Sequence, residues 1–225
     1  MTALEQYLWG LHEKAHEIHP ADVVLWPRTP IGDMQRQVRQ FVGVGDDRPS
    51  DERSRPYRII EYLQTIDNGG SLTVLDICCG DALIIHSIHM AFAEEITEKR
   101  IFEAWKCYGL DLLIGEMQTH KWIRKSGVGL FRATLQDLFA SDPVERFDVA
   151  MMLNTYRGWE SADLRVYESE LPMMADRWLR LNCERAILTA TTGQVRVWEA
   201  RGCEVIDLGR GEQKSRLIVV VMKGG

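Results

Sequence analysis

The sequence predicts an α/β fold built on a mostly parallel sheet, and three observations lead there. From Ser71 onward, short apolar runs of strand length alternate with longer amphipathic runs of helical period. That is the pattern of strands joined by crossover helices and covered on both faces. The last two apolar runs, 204–208 and 216–222, are separated by residues 209–215 alone. That gap is too short for a crossover helix, so the two strands pair as an antiparallel hairpin. The chain has 225 residues, 45% hydrophobic and 27% charged. This is enough to bury one large core, with or without an appendage.

The elements follow in order. Leu4, Leu8, Leu11 and Ala15 recur at helical spacing and Pro20 ends that pattern. Pro20, Pro27, Pro30, Pro49 and Pro56, with the run Gly43, Val44, Gly45, Asp46 and Asp47, mark residues 20–56 as a loop or lid. Ser54 is a candidate N-cap and Pro56 suits a first helical turn. Ile59, Tyr62, Leu63 and Ile66 then share one helical face, closed by Asp67, Asn68, Gly69 and Gly70. Residues 1–54 read as an N-terminal helical cap and 55–225 as the main domain. Strands are expected at 72–77, 105–112, 129–134, 147–153, 185–191, 204–208 and 216–222. Helices are expected at 82–99, 114–125, 161–181 and 195–201.

Composition narrows the function classes. With 27 Lys and Arg against 33 Asp and Glu, the chain carries a charge of −6 and no broad footprint for nucleic acid or anionic lipid. No apolar run approaches the ~18 residues of a membrane span. The opening MTALEQYLWG lacks the basic and apolar regions of a secretory signal. Five cysteines, an odd number that includes the adjacent Cys78 and Cys79, read as reduced thiols of a cytoplasmic protein.

The segment Thr73-Val-Leu-Asp76-Ile-Cys78-Cys79-Gly80-Asp81-Ala82 carries the chemistry. An apolar strand runs into an acid, then a tight turn of small residues, then a helix. Small residues let a ligand approach the backbone, and a helix N-terminus supplies free N–H donors. A dinucleotide loop needs G-x-G-x-x-G, and those glycines are missing. Asp76 would also repel a pyrophosphate and suits a cationic, zwitterionic or hydroxylated ligand instead.

These residues resemble motif I, D/E-x-G-x-G-x-G, of the class I (Rossmann-like) S-adenosylmethionine-dependent methyltransferases, with Cys78 and Ala82 where glycines are usual. The likeness continues through Tyr108-Gly-Leu-Asp111-Leu112, Leu135-Gln136-Asp137, the strand from Phe147 to Asn154, and residues 198–205. It implies a Rossmann-like seven-stranded sheet with a C-terminal antiparallel hairpin strand, and S-adenosyl-L-methionine as cofactor. Asp76, Cys78 and Gly80 would shape the cofactor turn. Asp111, beside Leu112, would take the ribose hydroxyls, and Gln136 or Asp137 the adenine amino group. Asn154 would stand where the fourth strand faces the transferred methyl. The Asp76-to-Asp111 spacing of 35 residues exceeds the ~20 of a nucleotide-loop strand, and a longer first helix and loop accommodates it.

In the loop Asn154-Thr-Tyr156-Arg157-Gly-Trp159, polar and aromatic groups follow the fourth strand, where an acceptor would meet the methyl. Asn154 and Tyr156 are therefore candidate catalytic residues. Arg55, Tyr57 and Arg58, just ahead of the first strand, are candidates to reach a cofactor carboxylate.

His12-Glu-Lys-Ala-His16, with His19 close behind, is a literal H-E-x-x-H. Histidines at i and i+4 share a helical face, as zinc chelation needs. The segment has no preceding sheet and no third ligand at a recognised spacing, so no metal is expected. His16 is taken instead as a candidate general base for an acceptor that must lose a proton. The resemblance implies methyl transfer to a small-molecule acceptor, on oxygen or nitrogen. A non-catalytic S-adenosylmethionine-binding partner module is the alternative, and a homodimer is compatible with either.

Overall fold

The computed structural model describes residues 1–15, 55–67, 72–80, 82, 84–89, 105–111, 128–153, 171–210 and 215–222. Seven strands are present: β1 (Thr73–Ile77), β2 (Lys106–Asp111), β3 (Gly129–Arg132), β4 (Phe147–Met152), β5 (Cys183–Ala190), β6 (Glu204–Arg210) and β7 (Arg216–Val221). They form one sheet in the order β3-β2-β1-β4-β5-β7-β6. β1 runs parallel to β2, and β4 parallel to β5. β7 runs antiparallel to both β5 and β6. The expected hairpin is therefore present, but its return strand is inserted between β5 and β6. Four residues in a row are buried in β1, and four in β4. This is the continuous apolar signature of strands covered on both faces.

The helices are α1 (Ala3–Ala15), α2 (Arg55–Ile66), α3 (Leu135–Phe139), α4 (Leu171–Asn182) and α5 (Thr192–Ala200), with residues 84–89 also helical. α1 begins at a reciprocal box. The Thr2 hydroxyl accepts the Glu5 N–H at 3.2 Å, and the Glu5 carboxylate accepts the Thr2 N–H at 2.8 Å. α5 starts three residues before the expected 195, because the Thr191 hydroxyl accepts the Gln194 N–H and the Gln194 side chain reaches back to the Thr191 N–H. The apolar period that begins at Val195 is blind to that cap. The expected helix at 114–125 lies outside the described residues, as do most of 82–99 and the first half of 161–181.

The chain divides into two compact units. The first joins Met1–Glu17 to Arg132–Gly225. Its core is aromatic: Trp178 lies 6.0 Å from Phe139 and 6.2 Å from Phe147 between ring centroids, and all three rings are buried. Ser141, just past α3, ties three helices together. Its carbonyl accepts the Trp178 indole N–H at 2.8 Å, and its hydroxyl lies 3.1 Å from the Tyr7 phenol of α1. That same hydroxyl donates to the Asp137 carbonyl at 2.8 Å. In the second unit, Ile18–Phe131, the Trp105 indole N–H donates to Asp67 at 3.0 Å and fastens the end of α2 to the start of β2.

Removing the α5 cap by Thr191→Ala leaves the Gln194 N–H, in the first turn, without its side-chain acceptor. It should cost about 1 kcal/mol, which lowers the unfolding midpoint by ~2–4 °C. A thermal melt of the variant against the wild type measures it.

Candidate cofactor site

β1 and β2 are in register, with Asp76 opposite Gly109 and Ile77 opposite Leu110. Past the end of β1 the ladder continues into the turn. The Cys79 N–H donates to the Leu110 carbonyl at 3.2 Å, and the Gly80 N–H donates to Asp111 Oδ2 at 3.0 Å. On its other side the turn closes through Ala82 N–H to the Cys79 carbonyl at 2.9 Å. His86 N–H to the Ala82 carbonyl, at 3.0 Å, then leads into the helical residues 84–89.

Three alternate residues of this turn have left-handed backbone: Cys78 at φ 59°, Gly80 at 54° and Ala82 at 56°. These are the three positions at which motif I carries glycine. The conformation costs an L-residue roughly 1–2 kcal/mol, so this chain keeps the shape while bearing side chains at two of the three. At Gly80 a Cβ would meet nothing within 4 Å, which leaves the turn open on that side for a ligand.

Electrostatics follow from two acids. Asp76 is buried at 3% exposure, and Asp111 stands at the end of β2, half-buried. Burial, and then the charges of Asp111 and Asp76, push the Cys79 thiol well above the usual thiol range. Burial and Asp76 likewise push Cys107 up to about 12. Both sulfurs are therefore protonated thiols, unsuited to nucleophilic attack. Cys78 and Cys79 are half-buried, more open than small core residues.

Gln136 and Asp137 lie on α3, in the first unit. Gln136 is exposed. Thr134 caps α3 by accepting the Asp137 N–H at 3.0 Å, and its hydroxyl donates to Asp137 Oδ2 at 2.8 Å. Asp137 Oδ1 pairs with Lys14 of α1. Burial alone would raise the Asp137 carboxyl, but the Lys14 and Thr134 hydrogen bonds and the lysine charge hold it below the usual carboxylate range. His12 is buried, and its Nδ1 accepts the Arg132 N–H at 2.9 Å. The first histidine of H-E-x-x-H thus anchors α1 beside the end of β3. Among the described residues, no group of three or more His, Cys, Asp or Glu is placed to hold a metal ion.

The structure thus brings Gly80 and Asp111 into direct contact, with Cys78 on the same turn and Asp76 buried in β1 just before it. Leu112, His16, Asn154 and Tyr156 lie outside the described residues, as do His19, Arg157 and Trp159. Tyr57 is exposed and Arg58 half-buried. Sequence reasoning missed Thr134 and Lys14. Thr134-Leu-Gln-Asp137 is itself a capping pattern and could have placed the start of α3, whereas nothing local marks Lys14.

Two predictions follow. Cys78→Val puts a β-branched residue at a left-handed position and should lower stability by roughly 1–2 kcal/mol, while Cys78→Gly should leave it equal or higher. Denaturant titration of the two variants separates them. The second concerns His86, which burial, with the charge of His89, holds down to about 4. An unfolded imidazole titrates near ~6.5. As pH falls from there to about 4, the unfolded chain takes up a proton that the folded chain refuses, so stability is lost. Relative to His86→Leu, the wild type should lose ~1.4 kcal/mol per pH unit across that window, read from urea midpoints.

No protein-family model matches the chain, and no curated protein sequence matches it significantly. Solved structures do match. Magnesium protoporphyrin IX methyltransferase (ChlM) from Synechocystis PCC 6803 with bound SAM aligns at TM-score 0.50 and 16% identity, over 88% of this chain and 100% of that one. The same enzyme with bound SAH aligns at 0.51 and 14% identity, over 85% and 94%. The bifunctional kinase-methyltransferase WbdD aligns at 0.53 and 16% identity, over 79% of this chain and 41% of that one. The order of strands, the inserted antiparallel β7 and these likenesses agree: the chain has the class I S-adenosylmethionine-dependent methyltransferase fold.

Proposed function

We propose that this protein is an S-adenosylmethionine-dependent methyltransferase acting on a small-molecule acceptor. One observation carries the reading. The turn after β1 adopts left-handed backbone at all three motif I positions, and its central N–H is hydrogen-bonded to the carboxylate that ends β2. A turn open at Gly80 and flanked by two acids, Asp76 and Asp111, fits a ligand with ribose hydroxyls and a cationic centre. It does not fit a pyrophosphate, which both acids would repel. The likeness to ChlM, whose structures hold SAM and SAH, supports the same choice.

When bound, the cofactor supplies an electrophilic methyl group on a sulfonium. The chain's part is then mostly alignment, because an in-line displacement gains most from holding acceptor and methyl in near-attack geometry. Asp111, at the end of β2, would accept the ribose hydroxyls of the cofactor. Cys78 and Gly80 shape the turn, and Asp76 holds negative charge beneath it. Leu112, Gln136 and Asp137 are proposed for the ribose edge and the adenine. Asn154 and Tyr156, which follow β4, are proposed to orient the acceptor, and His16 to take its proton where one must leave. Residues 1–54 are proposed to cap the acceptor side. The acidic net charge and five free thiols favour a small acceptor and a cytoplasmic setting. No helix among the described residues is long and apolar enough to cross a membrane.

The test is thermal unfolding with S-adenosylhomocysteine, with NAD as control. At ~100 times its dissociation constant a ligand adds ~2.7 kcal/mol, which should raise the midpoint by roughly 5–10 °C. A shift with the homocysteine adduct alone supports the cofactor site, and an acceptor screen for released homocysteine product then tests turnover. A shift with neither ligand, or with NAD, overturns the reading.

A further inference from the structure

β2 comes unusually close to the turn at Gly109. A Cβ built there would lie 2.8 Å from Leu130 Cδ2, 3.0 Å from Cys79 Sγ and 3.4 Å from Cys79 Cβ. The contact with Leu130 falls on the far end of a flexible side chain, whereas the sulfur contact, tighter than packed side chains normally make, falls on a residue of the turn, so any side chain at position 109 presses on Cys79. Cys79 is also the first rung by which the turn hangs on β2, through its N–H to the Leu110 carbonyl, and Gly80 is the second, through its N–H to Asp111. A side chain inserted between β2 and Cys79 pushes on both rungs together.

We propose that Cys79 is the positioning residue of the cofactor site, its side chain filling the slot left by Gly109 and thereby setting the Gly80–Asp111 hydrogen bond that orients the ribose-binding carboxylate. This rests on the reading of Asp111 as a ribose ligand. The role is one of shape. The thiol is held protonated by burial and by the neighbouring carboxylates, so it brings volume without charge. The sequence segment Cys78-Cys79-Gly80 and the segment Tyr108-Gly109-Leu110-Asp111 are then two halves of one fitted contact. A larger residue at either Cys79 or Gly109 presses on the two hydrogen bonds that join the turn to β2.

The test compares binding of S-adenosylhomocysteine by calorimetry with the ligand-free unfolding midpoint. Loss of a merely structural contact lowers the ligand-free midpoint, whereas mispositioning lowers affinity. Gly109→Ala should weaken binding at least tenfold. Adding Cys79→Ala to that variant should restore most of the affinity by vacating the sulfur's place. Adding Leu130→Val, which relieves the other close contact, should restore less. Should Gly109→Ala fail to fold, single substitutions at Cys79 decide the matter. Cys79→Ser, nearly the same size, should stay within threefold of wild type, and the bulkier Cys79→Val should lose tenfold or more. Equal or better rescue by Leu130→Val, no rescue by Cys79→Ala, or equal affinities for the two single variants would overturn the proposal. Absence of binding by the wild type would instead remove the reading on which it rests.

Discussion

The turn between β1 and the helical residues 84–89 is the constraint on which the site depends. Its backbone is left-handed at Cys78, Gly80 and Ala82, an arrangement that costs an L-residue free energy wherever a Cβ is present. The surrounding structure holds it there. Val74, Leu75 and Ile77 bury the strand on one side, and Ile85 and Ile88 bury the helix on the other. Two successive N–H groups hook the turn onto the last two residues of β2. Strain of this kind persists only where packing over-determines the conformation, and it concentrates where a ligand must approach backbone.

The sheet supplies the rigidity that this turn needs. Its central strands are buried along nearly their whole length, so a register slip would carry Asp76 away from Gly109 and break the contact with the turn. At the far edge, β7 returns between β5 and β6 and pairs with both. That leaves β6 with exposed Glu204 and Asp207 and an irregular register between Asp207 and Gly209, features that discourage edge-to-edge pairing with another chain.

The histidine-rich start of the chain takes on a different meaning in three dimensions. H-E-x-x-H invites a metal reading because two imidazoles share a helical face. In the fold, His12 accepts a backbone N–H, Lys14 pairs with Asp137, and Tyr7 meets Ser141. All three fasten α1 onto the segment running from the end of β3 through α3. His12, which looks like a ligand in one dimension, serves here as a docking point beside Lys14 and Tyr7, with Leu4, Leu8, Leu11 and Ala15 burying the face between them.

The seven strands, the buried parallel arrangement, the closing hairpin and the turn from Asp76 to Ala82 were legible in the sequence by itself, whereas the short helix α3 was not. Each of the legible features is written in local terms: an apolar period, a cap, or a run of small residues next to an acid. The tertiary structure alone decided that β7 lies inside the sheet edge, that Gly80 bonds Asp111 31 residues away, and that His12 meets Arg132 across 120. It also decided that Lys14 reaches Asp137 and that Cys79 fills the space beside Gly109. None of these has a local signature. Each arises because packing the sheet brings distant backbone within hydrogen-bond reach, and side-chain volume then selects which residues can stand there.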